Sequence, residues 1–159
     1  AWDGEAFCVA AEVTDDRHFN TKRRNELCNG DALQIGLATP SGVTWNIGLA
    51  LTKDGVGFHQ WEGHGDTLLK TVGCAVVRDN KTKVTRYGLR LPLAVLGLEP
   101  GAEFGLNIVF YDDDDGNGIR HWLQLAPGMA PGLPRAGDPM SLPTIAGNTA
   151  MYPRFILEK

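Results

Sequence analysis

Residues 112–118 read Asp-Asp-Asp-Asp-Gly-Asn-Gly, a dense run of oxygen donors in a turn-forming composition. Calcium takes about six to eight oxygens, commonly from Asp side chains and backbone carbonyls. Asp112, Asp113, Asp115 and Asn117 are therefore candidate ligands for a structural calcium ion. The same residues also suit a solvated turn, in which water and salt screen the charges. The spacing is not that of an EF-hand loop, because that pattern would put Tyr111 at the first ligand position and no Glu closes the loop. A second acidic pair, Asp15 and Asp16, follows an apolar run, and His59 and His64 stand five apart, a spacing that suits either a metal or two solvated loop side chains. Catalysis has no such concentration of residues. GxSxG, HExxH and Walker patterns are absent, and pairs such as Asp31 with Glu62 or Asp66 are what any chain with 19 acids offers. No catalytic residue is assigned, and the chain reads as a non-enzyme.

The acidic run lies where two strands must meet. Phe104, Leu106, Ile108 and Phe110 alternate with Gly105, Asn107, Val109 and Tyr111, and His121, Leu123 and Leu125 then alternate with Trp122 and Gln124. Residues 103–125 are thus predicted to form a β-hairpin with an acidic tip. Similar alternation marks residues 5–14, Leu33 to Leu37, Val43 to Leu51, Val56 to Trp61, 72–78, 84–91 and Tyr152 to Leu157. Residues 17–30 read as polar and irregular, Pro92 to Leu96 as one short helical turn, and 127–143 as a Gly- and Pro-rich loop. About nine short strands with frequent turn signals and no amphipathic helix predict an all-β fold. The expectation is a two-sheet antiparallel β-sandwich, immunoglobulin-like or jelly-roll-like, with little or no helix.

Composition narrows the partners. The 159 residues are enough for one domain, 1–159, with a real core. A net charge of −4 and a pI near 5.5 argue against nucleic acid, since there is no basic surface to release counterions. Lys22, Arg23 and Arg24 form the only basic cluster and read as a solvated loop. No run approaches the ~18–20 apolar residues of a membrane helix. The chain opens on Ala1 inside an apparent strand, which suggests a processed or trimmed piece of a longer protein. Cys8, Cys28 and Cys74 include no CxxC pair, which disfavours zinc; one disulfide with a free thiol, or three thiols, both remain open.

Four stretches, in order, resemble carbohydrate-binding module family 9 and its related β-sandwich domains. WDGEAFCVAAEVTDD is similar to the family's Trp-Asp-x-x-x-Leu-Tyr-Val strand, and NGDALQIGL to its Asp-Ser-Val-Glu-Ile-Phe strand. YGLRLPLAVLGLEPGAEFGLNIVFYDDDDG resembles a strand, Ile-Pro-Trp-x-x-Leu, a Gly-rich turn and Phe-Asn-x-x-Val-x-Asp, while YPRFILEK resembles the final strand. A strand preceding Trp2 is lacking by this comparison. The resemblance implies two antiparallel sheets, bound calcium, and a glycan gripped between two tryptophans. It also implies a carbohydrate ligand and neighbouring domains in an exported, secreted or cell-surface, bacterial polysaccharide-processing protein. Where the first tryptophan is expected this chain has Cys28, and none stands near Ala146 for the second. The polar acid expected on the second strand is Gln34, and the expected arginine falls near Asn46.

Sugar recognition needs a flat aromatic face for the apolar side of a pyranose and planar polar groups for its hydroxyls. Outside the inferred core, Phe58, His59, Trp61, Tyr111 and Trp122 supply aromatic faces, and Gln34, Asn46, Gln60 and Arg120 supply polar partners. The site expected is Trp61, Trp122, Gln34, Asn46 and Arg120, with Trp45 in the core and Trp2 near the domain edge. Two other readings stay open. The chain is a structural accessory domain that has lost sugar binding, or a haem-binding sandwich using Met129, Met140 or Met151 with His59, His64 or His121.

Overall fold

The computed structural model describes residues 1–129 and 148–158. Its strands are β1 (Ala6–Thr14), β2 (Ala32–Ala38), β3 (Thr44–Thr52), β4 (Gly55–Glu62), β5 (Gly73–Asp79), β6 (Val84–Pro92), β7 (Glu103–Asp112), β8 (His121–Gln124) and β9 (Arg154–Ile156). They form two antiparallel sheets, one in the order β1-β6-β5 and one in the order β4-β3-β2-β7-β8, with β9 also on β7. This is the all-β sandwich that the alternation predicts. Among the described residues, helix is confined to α1 (Thr67–Thr71), α2 (Leu93–Leu96) and two short 3-10 turns, Arg24–Asn29 and Thr149–Met151. The helical turn expected around Pro92 is α2, capped by Gly97 in the left-handed region.

The core follows from the period of two. Leu33, Ile35 and Leu37 of β2, Trp45, Ile47 and Leu49 of β3, and Phe104 and Leu106 of β7 turn one way. They meet Phe7, Val9, Val76, Tyr87, Leu89 and Leu91 of the small sheet. Trp45 is 1% exposed, as expected of a core residue, and Trp2 packs partly buried against the same cluster. At about 25 cal/mol per Å² of apolar surface removed from water, this interface is the main stabilising contact of the fold.

The opposite face of the large sheet is not bare. Ala32, Cys28, Ala50, Val109, Tyr111, Met129 and Tyr152 are buried there in a second cluster, with Trp61 and Trp122 partly buried at its rim. The 3-10 turn Arg24–Asn29 is what sequence reading missed. It carries Leu27 and Cys28 down onto this outer face, and both are 1% exposed. Asn20 anchors the preceding loop by donating to the Leu27 and Asp31 carbonyls at 2.9 and 3.0 Å. Cys8, Cys28 and Cys74 are all free, so no disulfide joins them.

Candidate functional site

Two places concentrate polar chemistry, and the first is the outer face of the large sheet. Gln34 pairs with Gly48 and Gly36 with Asn46 across β2 and β3, so amides and glycines alternate like a chequerboard. The amides meet on the diagonal, Gln34 Nε2 donating to Asn46 Oδ1 at 2.7 Å. Tyr111 of β7 donates its hydroxyl to Gln34 Oε1 at 2.6 Å, and Glu62 of β4 stands opposite Asn46. A polar row therefore crosses four strands. The glycines admit large side chains between its members. A Cβ on Gly48 would lie 2.5 Å from the Trp61 ring and 3.1 Å from the Cys28 sulfur. One on Gly36 would lie 2.6 Å from the Tyr152 hydroxyl and 2.7 Å from the Met129 sulfur. Each glycine is thus the seat of an aromatic plate, which a strand interior gains only by giving up a side chain.

Trp61 is the extra residue of a bulge, since Ile47 faces Gln60 while Asn46 faces Glu62. Its ring nitrogen donates to the Asn25 carbonyl at 3.0 Å, and His59 meets it edge-on with ring centroids 4.9 Å apart. Burial raises the Glu62 carboxyl above its ordinary value. Burial, then the nearby Glu62 charge, pushes the Tyr152 hydroxyl up to about 12. Gln34 and Asn46 are each 3% exposed.

The second place is the acidic end of the sandwich, where β1, β2 and β7 finish or begin. A cleft of about 590 Å³ is lined there by Asp15, His18, Asp31, Asp112, His121 and Trp122, among others. Carboxylate oxygens of Asp15, Asp112 and Asp114 lie within 4.8 Å of one another, as do ligand atoms of Asp15, His18 and Asp31. Asp31 ties the end together. Its carboxylate accepts from the Phe19 and Asp113 amides, each at 2.7 Å, and lies 3.2 Å from His18 Nδ1. His18 also reaches the Leu51 carbonyl through Nε2 at 2.7 Å. Burial alone would lower His18, but those two acceptors hold it above its ordinary value. Burial, reinforced by the charges of Asp114, Asp15 and Asp31, pushes Asp112 up to about 6. Asp112 Oδ1 and Asp113 Oδ2 are buried without a hydrogen-bond partner.

These positions reorder the residues read from sequence. Trp61, Gln34, Asn46 and Trp122 do share the outer face, but Trp61 lies on β4 at one sheet edge and Trp122 on β8 at the other. Arg120 is not with them: it pairs with Asp115 at 2.6 Å in the hairpin tip, where the crowded acids supply it a counter-charge. Of the four tip ligands, Asp112 joins Asp15 and Asp114. Asp113 and Asp115 instead fold the tip, accepting the Gly116 amide at 2.8 Å and the Asn117 amide at 3.0 Å. Asn117 itself is exposed, and His59 and His64 belong to neither three-ligand group among the described residues. Phe58 packs partly buried against the sandwich core and Tyr111 is 4% exposed. Gln60 donates to the Gly65 carbonyl at 3.0 Å. Met129 is buried under Gly36, Met151 is exposed, and Met140 and Ala146 lie outside the described residues.

No protein-family model and no curated protein matches the chain. Among solved structures, a family 9 carbohydrate binding module from Caldicellulosiruptor kristjanssonii, in complex with cellotriose, superposes with a TM-score of 0.69. The match covers 99% of this chain and 71% of that one at 13% identity. The chain therefore has the fold of that module, in agreement with the four resembling stretches.

Proposed function

We propose that the chain is a non-catalytic module that binds a poly- or oligosaccharide on the outer face of its large sheet, with calcium as a structural ion at the acidic end. The observation that carries this reading is the Gln34–Asn46 amide pair between two aromatic side chains, Trp61 over Gly48 and Tyr152 over Gly36. Aromatic faces beside planar hydrogen-bonding groups are what pyranose recognition requires. The cellotriose bound by the structurally similar module supports the ligand class. The fold also supports placement in a secreted or cell-surface, polysaccharide-processing protein with neighbouring domains. No helix among the described residues is long and apolar enough to cross a membrane.

Asp15, Asp112 and Asp114 suit calcium by chemistry, as hard oxygen donors, and Asp112 Oδ1 supplies an otherwise orphaned buried acceptor. Bound there, the ion would offset the burial and the mutual repulsion that raise Asp112 and would hold the end of β1 to the tip of β7.

A competing reading has its own observation. Gln34 and Asn46 satisfy each other at 3% exposure, as they would in an accessory domain that no longer binds sugar. A thermal melt across a panel of oligosaccharides, with calcium and with chelator, separates the two. A ligand that binds only the folded state raises the melting temperature by mass action. A shift with one sugar class, abolished by Trp61→Ala, supports the binding module; a calcium shift with every sugar silent supports the accessory domain.

A further inference from the structure

The 3-10 turn on the outer face opens on Arg24, whose φ of 53° lies in the left-handed region. A bulky residue rarely holds that backbone, and such strain persists only where the surroundings impose it. Here it sets a cation beside an aromatic pair. Asn25, the next residue, accepts the Trp61 ring nitrogen at 3.0 Å, and Trp61 is met edge-on by His59. The Arg24 charge reaches His59, adding to burial in holding that imidazole below its ordinary value. Lys22, Arg23 and Arg24 form one wall of a groove of about 170 Å³ whose other wall is Val56, Gly57 and Phe58 of β4. His59 and Trp61 follow Phe58 on the same strand.

The cations of this wall are not equivalent. Arg23 is neutralised by Asp54 at 2.6 Å. Arg24 is exposed and forms no ion pair among the described residues, although Glu26 is exposed on the same turn and Glu62 stands beyond Trp61 on β4. In a chain of net charge −4, a groove with an uncompensated guanidinium beside an aromatic plate is locally of the opposite sign. Guanidinium groups recognise carboxylate and sulfate-like oxygens through paired N–H donors, which gives direction as well as attraction.

We propose that the glycan taken on this face is acidic: a sugar unit bearing a carboxylate or a sulfate enters the Lys22–Arg24 groove against Arg24, and an adjoining unit stacks on Trp61. This rests on the glycan-binding reading above and names the class of sugar within it.

Matched probes test it by calorimetry at low salt and again at high salt. They are trigalacturonate against its fully methyl-esterified form, and sulfated cellotriose against cellotriose. The expected result is tighter binding of one charged probe than of its neutral match, by about ten-fold at low salt, with the difference shrinking in high salt. Whichever charged probe wins identifies carboxylate or sulfate as the group read. The variant is Arg24→Gly, because glycine adopts φ near 53° without strain and leaves the turn intact. It should erase the charged-over-neutral preference while the melting temperature stays level or rises. Arg86→Gln, on the small sheet, should leave the preference unchanged. Equal affinity for charged and neutral probes overturns the acidic assignment and leaves the binding module standing. Silence of all four probes together with silence of the oligosaccharide panel overturns both. A charged preference that survives Arg24→Gly overturns the assignment to this groove.

Discussion

The outer face and the acidic end are both built from polar residues half-hidden by loops, yet they are satisfied in opposite ways. On the outer face Tyr111 donates to Gln34 and Gln34 to Asn46, so the row closes on itself. At the acidic end Asp112 and Asp113 each keep a buried oxygen with no partner, and Asp112 is pushed up to about 6. Buried acceptors without donors cost roughly 1–3 kcal/mol each. The first region is therefore complete in the free protein and must open or yield an edge to bind anything. The second is incomplete, with buried acceptors that a positive charge would satisfy.

The largest effect that tests this contrast is on the outer face. Gly36→Val should lower stability by about 3 kcal/mol in urea unfolding, because the new side chain meets Tyr152 and Met129 where no space remains. A loss below about 1 kcal/mol would mean that the face is loose and open. Next is the acidic end. Calcium at a hundred-fold excess over its dissociation constant should stabilise by roughly 2.7 kcal/mol. In chelator, Asp112→Asn should instead stabilise the protein at pH 7, since it removes a charge the fold resists. The sign in pH follows from the raised carboxyl. The folded chain holds that proton more tightly than the unfolded one, so the stability is present below the ordinary carboxylate range and is lost as pH rises through about 6. Melts in chelator should accordingly fall between pH 5 and pH 7 more for the parent than for Asp112→Asn.

A smaller effect probes the closed row itself. Tyr111→Phe deprives Gln34 Oε1 of its donor and should cost about 1 kcal/mol. No loss at all would show water or a loop side chain serving Gln34 equally well. The smallest is Arg120→Gln, in an ion pair with more than half of the arginine side chain in solvent. It should change stability by no more than about 0.5 kcal/mol and leave glycan binding untouched.

The sequence makes the strands legible because one face of nearly every strand packs on a single core, and a period of two records that directly. Trp45, in step with Ile47 and Leu49, is read correctly for this reason. The alternation says equally well that Gln34 and Asn46 face away from that core, but not that anything covers them. Their cover comes from Leu27 and Cys28 in a turn of Arg, Asn and Glu, from a bulged Trp61, and from Tyr152 near the chain's far end. None of these is periodic with the strands. The signal that was available is Gly36 and Gly48, glycines in mid-strand, each marking where a neighbour's side chain must lie. The acidic end was half legible for a related reason. A run of four aspartates advertises the tip, but two of them are consumed in folding it. The charge that completes the cluster is Asp15, brought over from the end of β1.

Asp31 reaches across that end, accepting the amide of Phe19 in one loop and of Asp113 in another. Two segments distant along the chain thus share one carboxylate in addition to their own anchors, so that loosening at Asp31 releases a contact of both. In hydrogen exchange the two amides should open as one cooperative unit, at a common free energy, and an ion seated beside them would slow both together.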